Sequence, residues 1–81
     1  MGVELSSQTT QVMIGTEAAE ARIVFWSGRM IAVLTRLSGS HYQEADGLWY
    51  LEAGFGPCAD QRPDPFVSLS EAEAWIGRTV G

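Results

Sequence analysis

Lysine and asparagine do not occur in this sequence, cysteine and histidine occur once each, and no apolar run nears the roughly 20 residues of a membrane span. Each absence excludes something. A single cysteine, Cys58, rules out an internal disulfide. The lone His41, with no CxxC or HxxxH pair, leaves no spacing from which a metal site could begin, so no metal or cofactor is expected. Without lysine, basic charge rests on five arginines against ten carboxylates, for a net charge of −5. That balance opposes generic nucleic-acid binding, which draws most of its affinity from neutralising phosphates. Lysine and asparagine both have AT-rich codons, so a GC-rich coding sequence accounts for their absence without a functional reason. The N-terminal residues lack the basic start and apolar core of a signal peptide, and a cytoplasmic location with no membrane partner is the expectation.

What is present is enough for one small domain. In a chain of 81 residues, 46% of them hydrophobic, about 60% of the unfolded surface can be buried, which does not divide into two cores. Domains of this size usually gain from disulfides, a metal or a second copy of themselves. With the first two excluded, self-association is the device that remains.

Residues 1–18 are rich in Ser, Thr, Gln and Glu, and only Gln11-Val12-Met13-Ile14 is suited to pairing or packing. They read as a flexible N-terminal arm able to add a short edge strand, ahead of a single domain over residues 19–81. Two β-branched and aromatic runs, Ala21 to Trp26 and Arg29 to Leu37, flank the dipeptide Ser27-Gly28, the signature of a tight hairpin. Strict alternation from that turn puts Ala21, Ile23, Phe25, Met30, Ala32 and Leu34 on one wholly apolar face, read as the core side. The other face then carries Arg22, Val24, Trp26, Arg29, Ile31, Val33 and Thr35, a mixed set where a solvated face is normally polar.

A third strand follows at Leu48–Ala53, after a polar loop whose Asp46-Gly47 ending signals a turn. Gly54, Gly56, Pro57, Pro63 and Pro65 mark a long irregular segment, and Phe66-Val67 can add a short edge strand. Ser68 or Ser70, with Glu71 or Glu73 three residues later, makes a capping box that opens a helix. In that helix Leu69, Ala72, Trp75 or Ile76, and Val80 recur at helical spacing. The expected architecture is α+β: an antiparallel sheet of three to four strands in a meander, packed by one C-terminal helix.

Little in this pattern carries catalysis. Cys58 and His41 form the one conceivable nucleophile-base pair, but no nucleophile elbow or helix N-terminus backs the thiol. Glu44 with Asp46, Asp60 with Asp64 and Glu71 with Glu73 read as solvated charges on loops or an exposed helical turn. The mixed face is the better candidate, as a binding interface built from Arg22, Val24, Trp26, Arg29, Ile31, Val33 and Tyr50, because Trp, Tyr and Arg concentrate binding energy. Three uses compete for it: cover by the arm through Val12, Met13 and Ile14, contact with a protein partner or a second copy, and contact with nucleic acid.

The stretch Phe66-Val67-Ser68-Leu69-Ser70-Glu71-Ala72-Glu73-Ala74-Trp75-Ile76, preceded by antiparallel strands, resembles the N-terminal arm-type DNA-binding domains of phage integrases. The resemblance implies three strands and a helix, with DNA read by a basic sheet face on which Arg22 and Arg29 are the matching positions. The leading expectation is a non-enzymatic protein-binding module. By class analogy it is an inhibitor or adaptor of the kind found in phages and mobile elements. The alternatives are a DNA-contacting module and a small enzyme using Cys58 and His41.

Overall fold

The computed structural model describes residues 4–38 and 47–81. It shows the α+β arrangement: a four-stranded antiparallel meander and one C-terminal helix. The strands are β1 (Leu5–Ile14), β2 (Glu17–Trp26), β3 (Arg29–Arg36) and β4 (Trp49–Gly54), lying in the order β1-β2-β3-β4. One turn of 3-10 helix (Gly56–Cys58) leads toward α1 (Leu69–Val80).

Ser27 and Gly28 form the expected two-residue loop, with φ of 51° and 82°. Positive φ at both positions is what a type I′ hairpin requires, and its twist matches that of the flanking strands. Trp26 pairs with Arg29 and Phe25 with Met30, as simple alternation demands. One step further the ladder shifts, because Val24 pairs with Ala32 and leaves Ile31 unopposed. This bulge puts Ile31 and Ala32, consecutive residues, both in the core at 4% and 0% exposure. The Ile31 carbonyl, freed from the ladder, accepts from the Phe55 N–H at 2.9 Å and ties the end of β4 to the sheet. A second shift between Val33 and Leu34 leaves Glu52 unopposed on β4.

The bulge overturns the expected choice of faces. Val24, Ile31, Ala32, Leu34, Trp49 and Leu51 pack beneath α1 against Cys58, Ala72 and Ile76, with Leu5, Trp26, Phe66, Leu69, Trp75 and Val80 around them. Ile23, Phe25 and Met30, expected inside, alternate onto the opposite face, where Ile23 and Phe25 are half-buried and Met30 is 44% exposed. Ala21 shares that opposite face yet is fully buried, being small and flanked by its register partners Thr10 and Thr35.

The first 18 residues also differ from the sequence reading. The edge strand is ten residues long, not short, and it lies in the plane of the sheet instead of folding over a face. Gly15, with φ of 62°, starts its two-residue turn into β2 at the position where hairpins of the II′ type place glycine. Only residues 21–26 of β2 continue the ladder into β3, so Gln11–Ile14 and Glu17–Glu20 project as a two-stranded ribbon. The molecule is correspondingly elongated, 41 × 21 × 21 Å.

The helix starts where its capping chemistry places it. Ser68 Oγ accepts from the Glu71 N–H at 3.2 Å, and Glu71 Oε2 accepts from the Val67 N–H at 3.2 Å, an arrangement that stabilises a helix start by about 1 kcal/mol. Phe66 forms a single bridge to Trp49, with N–H to O distances of 2.7 and 2.8 Å, so the expected strand there reduces to one residue. Its ring meets Trp75 at 5.8 Å between centroids and anchors the helix to that edge of the sheet. Burying Leu34 and Ile76 completely contributes about 1.5–3 kcal/mol each to this contact.

Candidate functional site

The seven residues expected to form one interface are divided between the two sides of the sheet. Val24 and Ile31 belong to the core, and Trp26 is half-buried against it. Arg22 shares their side: its Nη1 donates to Ser7 Oγ at 3.3 Å, and its Nε is buried without a hydrogen-bond partner among the described residues. An arginine can occupy that side because its aliphatic stem packs while its guanidinium reaches the rim. Arg29 is exposed at the hairpin turn beside Trp26. Only Val33 and Tyr50 lie on the opposite, helix-free side. The structure therefore does not bring Arg22 and Arg29 onto an open face suited to tracking a phosphate backbone.

The helix-free face is built by register. Phe25 stands opposite Met30, Ile23 opposite Val33, Val33 opposite Ala53, and Thr35 opposite Tyr50. Side chains on one face of adjacent antiparallel strands are close neighbours, so Phe25, Met30, Ile23, Val33 and Ala53 make a continuous apolar strip. Met30 is 44% and Tyr50 38% exposed, and among the described residues no second layer packs over them. By the same alternation no arginine of β2, β3 or β4 points from this face. Its charges are the carboxylates Glu17 and Glu52 at its far end, where together with Arg36, which pairs with Glu20, they help line a cleft of about 690 Å³ between the ribbon tip and Tyr50 and Pro65. There the Thr35 hydroxyl donates to Glu52 Oε1 at 3.3 Å.

Sequence reasoning missed Ile23, Phe25 and Met30 as surface residues because both faces of the hairpin are apolar. The charge that marked one face as outward belongs to Arg22 and Arg29, which sit at the margin of the core side.

The described residues assemble little that could perform chemistry. Cys58 is fully buried in the 3-10 turn beneath α1, and burial pushes its thiol above the ordinary range, which favours the protonated, weakly nucleophilic form. His41, its suggested partner, lies outside the described residues, as do Glu44 and Asp46. No group of three or more His, Cys, Asp or Glu side chains is placed to hold a metal ion among the described residues, and no helix there is long and apolar enough to cross a membrane. No known protein family, curated protein or solved structure matches the chain.

Proposed function

We propose that this chain is a non-catalytic protein-binding module whose helix-free sheet face receives a partner through a complementary apolar patch. The observation that carries this reading is the strip Phe25, Met30, Ile23, Val33 and Ala53 on the side away from α1, where no other layer of the described residues packs over it. Contiguous apolar surface of this kind, half-buried along the strip and exposed at Met30, is characteristic of interaction sites. At one end the carboxylates Glu17 and Glu52 outweigh Arg36, itself paired with Glu20, and favour a partner whose apolar patch is flanked by basic groups. Such chemistry suits an adaptor or inhibitor that occupies a basic surface of a larger assembly, including the inhibitors of phages and mobile elements, by class analogy. The buried, protonated Cys58 supports the non-catalytic side of the reading.

The test replaces Met30 and, separately, Tyr50 by Glu, both being exposed enough to accept a charge without unfolding the domain. Each variant is expected to keep the native circular dichroism and melting behaviour while losing at least ten-fold in affinity for the protein that wild type captures, or about 1.4 kcal/mol. Equal capture by wild type and both variants would remove this face from the function.

A further inference from the structure

The two edges of the sheet are protected very differently. On β4, Phe66 takes up both backbone groups of Trp49, and Asp60 to Pro63 of the following segment face Tyr50 to Gly54 across a narrow cleft. On β1 nothing among the described residues pairs with the outer side, and its sequence, Leu5-Ser6-Ser7-Gln8-Thr9-Thr10-Gln11-Val12-Met13-Ile14, holds no charge and no proline. Natural sheets normally blunt such an edge with lysine, proline or a bulge, and this one has none of the three.

The free backbone groups can be assigned. The Glu4 carbonyl accepts from the Ser27 N–H at 3.0 Å, so Glu4 faces β2. Pairing alternates along an antiparallel strand, and the even-numbered residues of β1 therefore bond to β2. Leu5, Ser7, Thr9, Gln11 and Met13 aim their N–H and C=O groups outward.

We infer that β1 is a homodimerisation edge, which pairs antiparallel with β1 of a second copy about a two-fold axis at Thr9. This register sets Leu5 opposite Met13 of the other copy, Ser7 opposite Gln11 and Thr9 opposite itself, so every outward residue finds a partner. It also places the side chain of Met13, 65% exposed in the single chain, beside the partner's Leu5. Centring on Thr10 instead would set Leu5 opposite Gly15 and Met13 opposite Ser7, matching the apolar residues with poor neighbours. The two-fold axis runs perpendicular to the sheet, which leaves both helices on one side and joins both helix-free faces on the other. An edge without charge suits a second copy of an acidic chain, because the carboxylates stay away from the strand core.

Thr9 is exposed, and its substitution leaves the pairing of β1 with β2 intact. Sedimentation equilibrium at high micromolar concentration is expected to give the mass of two chains for wild type and of one chain for Thr9→Lys and for Thr9→Glu, since like charges would meet across the axis. An equimolar mixture of the two variants is expected to regain the double mass. In wild type, the amides of Leu5, Ser7, Thr9, Gln11 and Met13 should exchange slowly with solvent, a readout that needs no variant. A wild type that stays a single chain with those amides unprotected would overturn the inference. So would a Thr9→Lys protein that remains dimeric; if Met30→Glu were then monomeric, the copies would meet through the helix-free face instead. Loss of partner binding by Met30→Glu with the dimer unchanged would keep this edge separate from the face proposed above.

Discussion

The covered and uncovered faces of the sheet are nearly alike in composition and opposite in fate. Leu34 and Val33 are neighbours on one strand, yet Leu34 is fully buried under α1 and Val33 stands half-buried on the side without a helix. Hydrophobicity alone therefore did not choose the core side. The choice follows from small residues that let the helical layer approach. Ala32 pairs with Gly54 on the covered side, and there the Cys58 turn and Ala72 pack against the sheet.

The contrast can be broken most strongly at Leu34. Truncating it to Ala should cost about 2–5 kcal/mol by removing buried contacts and leaving a cavity beneath Ile76 that the fold can only partly close. Urea unfolding with an unchanged slope would measure it. A loss below 1 kcal/mol would mean that the covered face is not the core.

The approach of the Cys58 turn is the next point of attack. A methyl group at Gly54 would overlap the Cys58 carbonyl, and backbone cannot swing aside as a side-chain tip can. Gly54→Ala should therefore destabilise by about 1–3 kcal/mol through overpacking and loosen the turn. The measurement is the rate at which the Cys58 thiol reacts with a disulfide reagent, fast in the variant and slow in wild type, where the thiol is sealed. A Gly54→Ala protein with wild-type stability and a sealed thiol would show that small residues do not select the covered side.

These two faces also mark the limit of what the sequence discloses. Local chemistry was readable: the Ser27-Gly28 loop, the third strand and the capped helix at Ser68 all stand where their residues place them. The register beyond the turn was not, because the bulge at Ile31 answers to distant needs. It brings two consecutive side chains under α1 and gives the freed carbonyl to Phe55, and neither requirement is visible within β3. With the register went the site, since a shift of one residue exchanges the faces. The first hairpin was obscured for a different reason. β1 is mostly Ser, Thr and Gln and shows no apolar alternation until Val12, so only Gly15, a turn-forming glycine between Ile14 and Thr16, signalled its reversal.

The smallest expected effect is the most discriminating one. Val33→Ala removes nearly as much apolar bulk from the strand as a core truncation does, but from a side chain that has Ile23 and Ala53 beside it and no helix above it. With no enclosed cavity to create, the loss should be about 0.5–1 kcal/mol, confined to cross-strand contacts. Partner affinity should fall in the same variant, because Val33 sits at the centre of the open strip. Measuring both quantities separates the roles of the two faces: Leu34→Ala should lower stability strongly and leave the affinity of the folded fraction intact, while Val33→Ala should lower the affinity with only that small loss of stability. If Val33→Ala instead costs as much stability as Leu34→Ala, the helix-free face is enclosed within the folded chain, and its proposed role as a docking surface fails.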